Sequence, residues 1–265
     1  MDARLIERQT AHRPWPLPRR PWILFQSWQQ LLFVHWPVPL DRLRSIVPAP
    51  LLVEEFDGSA WVGLVPFRVV DMRPRGLPAM PGVSSFPEMN LRTYVRHEGK
   101  SGVYFFTLEA DSLSAVIAAR TVYSLPYHYA RMRVARHGDW IDYRSRRERD
   151  RVEFAGRYRP IGPIFNARPG TLEYFLTERY ALFTVAHGRR VLHGDIHHLP
   201  WQLQPAELIV DRNTVPDAWG IDVSGQQPLL HYCDRQDTLL WLPRLAGCSG
   251  RRRADHAPGN GRERE

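Results

Sequence analysis

The stretch FPEMNLRTYVRHEGKSGVYFFTLEADS, residues 86–112, decides the fold of this 265-residue chain. It contains two runs rich in β-branched and aromatic residues, 91–97 and 103–109, and such runs are typical of strands. Between them, residues 98–102 (EGKSG) have the composition of a hairpin loop. The stretch therefore predicts two adjacent antiparallel strands.

Strand patterns recur on both sides of this hairpin. They cover residues 61–70, 132–136, 140–144, 152–159, 180–185 and 191–197, with turns predicted at His137–Gly138–Asp139 and at Gly188. Predicted helices are short: 27–35, 40–46, 112–123 with Asp111 or Ser112 as its cap, and one that Thr171 caps and that runs to Leu176. This mixture predicts an α+β fold, predominantly antiparallel β, that forms a curled sheet or a barrel.

Composition separates a body from two tails. Residues 1–20 are charged and then proline-rich, with net charge +3, and residues 247–265 are almost free of apolar side chains, with net charge +2. Both are predicted to be disordered, which leaves residues 21–246 as a single domain. The tails carry most of the formal charge of +8, and 35 of the 36 basic residues are Arg, so the charge does not favour nucleic-acid binding.

Cysteine usage and hydropathy predict a soluble, cytoplasmic protein. Cys233 and Cys248 fit no metal or redox spacing, and the prolines at 14, 16, 18 and 21 interrupt any signal peptide. No run of about 18 apolar residues exists, so no membrane-spanning helix is predicted.

The most informative polar residues precede the hairpin. Glu88, Asn90 and Arg92 alternate with Met89 and Leu91, and the two-residue period of a strand puts the three polar side chains on one face. On the inner face of a barrel they would converge on its interior. On the outer face they would be ordinary surface residues.

The helix predicted over 112–123 contributes a further candidate. Leu113, Val116 and Ile117 form an apolar stripe, and Arg120 falls on the same stripe. An inward guanidinium needs a carboxylate or a ligand anion, so Arg120 is either a structural ion pair or an edge residue in solvent, or an anion-binding residue.

Tyr127 and His128 follow the end of this helix at Pro126. An isolated histidine is more often structural than catalytic, although its ordinary pKa near 6.5 suits proton transfer.

Two other clusters are weaker candidates. His193, Asp195 and His197 share a strand face but match no metal-site signature, so an exposed polar face is expected and no metal is predicted. Glu178 and Arg179 either pair locally or send one charge inside. No motif for a phosphate-binding loop, a dinucleotide fold, a nucleophile elbow or a zinc helix is present, and no cofactor is predicted.

Seven stretches, in order, carry a family resemblance. They are LLFVHWPVP (31–39), WVGLVPF (61–67), FPEMNLRTYV (86–95), GVYFFTLEADS (102–112), AARTVYSLPYHYARM (118–132), TLEYFLTERYALF (171–183) and HHLPWQLQPAEL (197–208). Across most of residues 22–243 the chain resembles the YqjF-like family of bacterial proteins of unknown function. That family is similar in fold to acetoacetate decarboxylase, whose β-rich cone encloses a small-molecule cavity.

The resemblance also implies a departure from the decarboxylase. There a Schiff-base lysine and a neighbouring lysine follow a turn, and Tyr127 and His128 stand at the comparable positions here. The only lysine, Lys100, lies in the predicted hairpin loop, so imine chemistry is not expected. Glu88 resembles the decarboxylase glutamate, whereas no arginine here is placed securely by the resemblance.

These observations predict a cavity that binds a small anionic or carbonyl-bearing molecule. Any activity would be lyase- or isomerase-like without an imine, with Glu88 or His128 transferring protons. Arg92 and Arg120 would orient an anion, and Tyr127 and Asn90 would donate hydrogen bonds to an oxygen. The alternative is a non-catalytic binding or scaffolding module, a homodimer that uses the aromatic segment 22–36, although its tryptophans are more readily explained as core.

Overall fold

The computed structural model describes residues 3–186 and 190–247. The predicted Gly188 turn, Cys248 and all of the predicted C-terminal tail except Gly247 lie outside the described residues.

The described elements are mostly strands. The helices are α1 Ala3–Arg8, α2 Leu40–Ile46, α3 Leu113–Tyr123, α4 Leu172–Thr177 and a short 3₁₀ turn Asp217–Trp219. The strands are β1 Leu24–Val38, β2 Leu52–Val53, β3 Glu55–Phe56, β4 Ser59–Pro74, β5 Phe86–His97, β6 Lys100–Ala110, β7 Tyr127–Tyr129, β8 Arg131–His137, β9 Trp140–Arg146, β10 Glu153–Pro160, β11 Ala181–Ala186, β12 Arg190–His198, β13 Gln204–Asn213, β14 Leu229–Leu240 and β15 Arg244–Leu245.

Seven of these strands close into a barrel. Neighbouring strands pair in the order β12, β11, β6, β5, β4, β1 and β14, and β14 pairs back onto β12 through three residue pairs, beginning with Ile196 and Leu240. Within the described strands only the pairings of β6 with β11 and with β7 are parallel. The predicted class, α+β with predominantly antiparallel strands in a barrel, is confirmed.

Each barrel strand buries both of its faces. In β1, Leu31 and Phe33 belong to the cluster inside the barrel, whereas Leu32 and Val34 belong to the cluster outside it. The outer cluster is covered by strands β8, β9, β10 and β13, which extend the sheet from β14 and fold back over the barrel wall. The Tyr143 hydroxyl of this outer layer donates a hydrogen bond of 2.7 Å to the Glu88 carbonyl oxygen.

This double burial explains the one predicted helix that is wrong. Residues 27–35 were predicted to be a short aromatic helix, but they lie within β1. Because both faces of the strand are apolar, its sequence lacks the alternation that would distinguish it from a short buried helix. Trp22 and Trp36 are buried within the chain, so the structure places them in its core.

The remaining helix predictions agree with the structure. Ser112 caps α3 by accepting a hydrogen bond from the Ala115 amide, and Thr171 caps α4 in the same way through the Tyr174 amide. None of the helices in the described residues is long and apolar enough to cross a bilayer.

The N-terminal segment differs from its prediction as a disordered arm. Ile6 of α1 is fully buried with Trp22, Phe25 and Trp241, and the Arg13 guanidinium donates a 2.6 Å hydrogen bond to the Ile196 carbonyl oxygen. A few anchoring side chains are sufficient to hold residues 3–20 against the barrel. Isolated anchors of this kind leave no signal in the charge or proline content of the segment.

Gly102 permits the close approach of β11 to β6. A Cβ atom at this position would lie 2.6 Å from the Ala181 carbonyl oxygen, a backbone atom, and 2.7 Å from the Phe183 ring. The parallel pairing beside it, between Val103 and Leu182, therefore depends on the missing side chain.

We predict that Gly102→Ala lowers the free energy of unfolding by about 2–3 kcal/mol, because overpacking against backbone cannot be relieved by a rotamer change. Gly99→Ala is the matched control. It has φ +76° and no atom within 4 Å of the new Cβ, so it should cost only about 1 kcal/mol for its backbone conformation. Urea unfolding checks the order of the two variants, and a Gly102 variant as stable as the Gly99 variant would contradict the close approach.

Candidate binding pocket inside the barrel

A pocket of about 510 Å³ occupies the barrel interior and continues to the surface beneath α3. We call it the barrel pocket. Its walls are mostly apolar, and the residues that line it with polar side-chain atoms include the following: Gln26, Trp28, Ser84, Glu88, Asn90, Arg92, Tyr123, Tyr127, Thr177, Arg179, His198 and Trp201.

Strand β5 supplies three of the predicted site residues to this pocket. Phe86, Glu88, Asn90 and Arg92 all line it, whereas Met89 and Leu91 pack in the outer cluster. The alternating pattern in the sequence thus corresponds to the inner face of the barrel wall.

Glu88 and Tyr127 form a hydrogen-bonded pair at the pocket wall. The Tyr127 hydroxyl donates to Glu88 Oε1 over 2.9 Å, and the Glu88 side chain is only 5% exposed. Burial raises the pKa of Glu88 to about 8, although the hydrogen bond from Tyr127 lowers it in part. Burial also raises the pKa of Tyr127 well above its ordinary value. Both groups are therefore protonated at neutral pH.

Arg92 is a pocket-lining cation without a carboxylate partner among the described residues. Its Nη2 donates to the Leu176 carbonyl oxygen over 3.3 Å, and its guanidinium lies 5.2 Å from the Phe33 ring centroid. Its Nε is buried without a hydrogen-bond partner in the described part of the chain. An arginine cannot lose its charge by deprotonation, so this end of the pocket is electropositive.

Two further polar atoms of pocket-lining residues are also buried and unpaired within the described ranges. They are Asn90 Oδ1 and Trp201 Nε1. Leaving such atoms unpaired costs about 1–3 kcal/mol each. Both residues line the same pocket as Arg92. The pocket therefore offers a ligand one unpaired acceptor, Asn90 Oδ1, and two unpaired donors, Arg92 Nε and Trp201 Nε1.

The pocket lining also includes Arg179, a weaker candidate in the sequence, and His198 and Trp201, which the sequence did not single out. Arg179, predicted either to pair locally or to turn inside, lines the pocket and pairs with Glu54, so its charge is compensated. Both nitrogens of the His198 ring contact backbone carbonyl oxygens, and burial lowers its pKa to about 4, so this histidine is neutral. No local motif marks these residues, because they reach the pocket from separate elements.

Arg120 is not in the pocket, so of its predicted alternatives the edge residue in solvent agrees with the structure and the anion-binding residue does not. Leu113 and Ile117 are 61% and 57% exposed, and Arg120 is exposed with them. Of the predicted stripe only Val116 is buried, and the side of α3 that lines the pocket consists of Ala115, Ala118, Ala119, Val122 and Tyr123. Alanines carry a weak hydrophobic signal, so the sequence pattern favours the more apolar stripe of Leu113 and Ile117.

His128 also lies outside the pocket-lining residues. It follows Tyr127 on β7, and adjacent strand residues point to opposite faces. Burial and the charge of Arg147 lower its pKa. The prediction that His128 transfers protons in the pocket therefore finds no support in its position.

The histidine-rich strand β12 is buried, contrary to the expected exposed face. His193 and Asp195 approach within 3.4 Å, and His197 Nε2 contacts the Ile6 carbonyl oxygen at 2.8 Å. The N-terminal segment covers this face, which the strand pattern alone could not indicate. No group of three metal-ligating side chains is found in residues 3–186 and 190–247.

Lys100 lies at the start of β6 and is not among the pocket-lining residues. Its Nζ lies 5.5 Å from the Trp15 ring centroid. The only lysine in the sequence is therefore not placed to react with a ligand in this pocket.

The barrel with its enclosed pocket is similar in fold to acetoacetate decarboxylase-like proteins. The chain is similar to the enduracididine biosynthesis enzyme MppR, with TM-score 0.61 and 14% identity over 86% of this chain and 90% of that one. It is similar to acetoacetate decarboxylase from Legionella pneumophila, with TM-score 0.58 and 13% identity over 92% and 96% of the two chains.

Residues 25–237 match the DUF2071 family of uncharacterized conserved proteins, and the chain belongs to this family. It is 48% identical to the uncharacterized protein YqjF of Bacillus subtilis (strain 168) over 221 residues, which cover 83% of this chain and 91% of that protein. The resemblance noted from the sequence motifs is thus confirmed.

We predict that Glu88 makes the free energy of unfolding fall as the pH rises. Its pKa is about 8 in the folded chain against an ordinary value of 4.5, so between these values the folded state holds a proton that the unfolded state has lost. The loss is at most about 1.4 kcal/mol per pH unit. Glu88→Gln removes this pH-dependent loss. The free energy of unfolding of the variant, relative to that of wild type, should therefore increase between about pH 5 and about pH 8.

Urea unfolding of both proteins across this pH window measures the difference. Glu55→Gln is the control, because Glu55 is an exposed glutamate of β3. A stability difference between wild type and Glu88→Gln that does not change with pH would show that Glu88 is ionised in the folded protein.

Proposed function

We propose that the barrel pocket binds an organic carboxylate that also carries a carbonyl oxygen. Arg92 faces the anionic group, and the protonated Glu88–Tyr127 pair donates to the second oxygen. The observation that carries the proposal is the combination, in one apolar pocket, of an arginine without a described carboxylate partner and a protonated carboxyl group.

The positive charge of Arg92 is the reason to propose an anionic ligand. The rings of Phe33 and Tyr94 hold the half-buried Arg92 guanidinium by cation–π contacts but leave its positive charge without a counterion, and a bound carboxylate would accept hydrogen bonds from it. Arg179 already pairs with Glu54, a carboxylate that it shares with Arg96, whereas Arg92 has no carboxylate partner among the described residues. The unpaired Trp201 Nε1 offers a further donor at the pocket wall.

The chemistry follows from the state of Glu88. A protonated carboxyl group in an apolar site can break its O–H bond and deliver the proton to the α-carbon of an enol ligand. The enol C=C bond supplies the electron pair for the new C–H bond, the C–O bond becomes the carbonyl, and the enol O–H proton leaves to water. The negative charge then left on Glu88 is stabilised by the hydrogen bond from Tyr127. This tautomerisation is isomerase-like and needs no lysine.

Structural relatives support this ligand class without deciding it. MppR, which shares the fold, forms complexes with pyruvate and with a condensation product of pyruvate and an aldehyde. Pyruvate is a carboxylate with an adjacent carbonyl group. A phenol cannot form an imine, so Tyr127 in this chain would serve as a hydrogen-bond donor.

We predict that Arg92→Gln weakens the binding of acetoacetate and pyruvate at least tenfold, because a hydrogen bond to a charged group contributes about 1.5–3 kcal/mol. Arg92→Lys should recover part of the affinity, since it restores the charge but not the planar fork. Isothermal titration calorimetry measures all variants.

Arg120→Gln is the matched control, because Arg120 is exposed and outside the pocket lining. Its affinity should equal that of wild type. Equal losses in the Arg92 and Arg120 variants, or the absence of carboxylate binding to the wild-type chain, would overturn the proposal.

A further inference from the structure

We infer that the physiological ligand of the barrel pocket is an amphipathic carboxylate with a medium-length apolar chain. The chain would run from the Arg92 end of the pocket to an apolar mouth between α3 and residues 75–85, which connect β4 to β5. This inference rests on the proposed function, because it assumes that the anionic group binds at Arg92.

The size of the pocket is the first argument. Its volume of about 510 Å³ falls in the range of roughly 300–1,000 Å³ that is typical of pockets for drug-sized ligands. Pyruvate and acetoacetate have six and seven non-hydrogen atoms. They would occupy only the part of the pocket between Arg92 and the Glu88–Tyr127 pair and would leave the remaining apolar walls in contact with water.

The two ends of the pocket differ in chemistry. At one end lie Asn90, Arg92, Thr177 and Arg179. Phe86 starts the same strand beside residues 75–85, and six residues at about 3.3 Å each separate it from Arg92, roughly 20 Å along β5. The charged groups are thus remote from the mouth, which matches a ligand with a polar head and an apolar tail.

The mouth is built from exposed apolar side chains. Met80 of the β4–β5 connection and Val122 of α3 line the pocket although they are 58% and 43% exposed. Pro78 and Val83, also in the β4–β5 connection, line it as well. Exposed large apolar groups around an opening indicate that the ligand in transit is itself apolar. A methionine at this rim can also adapt to chains of different shape.

Small residues keep the apolar channel wide. Ala115, Ala118 and Ala119 form the stripe of α3 that faces the pocket, and Val122 continues it toward the mouth. Larger side chains at these positions would close the space between α3 and the β4–β5 connection. This stripe therefore identifies where the apolar chain would pass.

The experiment measures the affinity of straight-chain carboxylates by isothermal titration calorimetry. Butanoate, hexanoate, octanoate and decanoate are titrated into the full-length chain. Each buried methylene should tighten binding about threefold to fourfold, so decanoate should bind at least a hundredfold more tightly than butanoate, with one molecule per chain.

Ala119→Phe tests the path of the chain. A phenyl group on the pocket-facing stripe should abolish most of the preference for decanoate while leaving butanoate affinity within about twofold of wild type. Ile117→Phe is the matched control on the same helix, because Ile117 is exposed on the opposite face. It should leave the whole series unchanged.

The results separate the two proposals. Equal affinities for butanoate and decanoate, both lost in Arg92→Gln, would overturn the apolar chain but retain the proposed function. No binding of any carboxylate would overturn both. Decanoate binding at many sites per chain, or unchanged in Ala119→Phe, would also overturn the inference, and the wild-type series alone decides it if that variant does not fold.

Discussion

The backbone pairing of β12 with β14 closes the barrel, and this closure encloses the interior in which the pocket lies. Three residue pairs, Ile196 with Leu240, His197 with Leu239 and His198 with Thr238, join a path of seven strands into a ring. Closure removes two sheet edges and gives each barrel strand one face toward the pocket and one toward the outer layer or, in β12, toward the N-terminal segment. The two large apolar clusters of the core are the two sides of this wall.

The same wall determines the electrostatics of the site. Strand β5 presents Glu88 and Arg92 to a mostly apolar interior, four residues apart on one face. Burial raises the pKa of the carboxyl group to about 8, and the arginine cannot respond in that way. The pocket therefore combines a neutral acid with a permanent cation. In a solvated cleft both groups would be charged and would attract each other.

Much of the fold could be predicted from the sequence, because strand alternation, hairpin loops and helix caps are local signals. The alternation of Glu88, Asn90 and Arg92 and the caps at Ser112 and Thr171 are examples. Which face of α3 turns inward was not predictable, because the barrel contacts its alanines and leaves Ile117 exposed. Arg179 and Trp201 join the site through long-range packing, and the N-terminal segment buries β12 through a few anchors such as Ile6 and Arg13.

The pairing of β1 with β14 has a consequence for how the chain is made. Residues 24–35 are matched with residues 229–240, so about two hundred residues of polypeptide separate the partners. A pairing of such high sequence separation slows folding, and on the ribosome β1 must wait for almost the whole described chain to emerge. Until then its apolar residues, Leu31 to Val34 among them, have only β4 beside them. During synthesis this first strand therefore exposes apolar surface for longer than any strand that follows it.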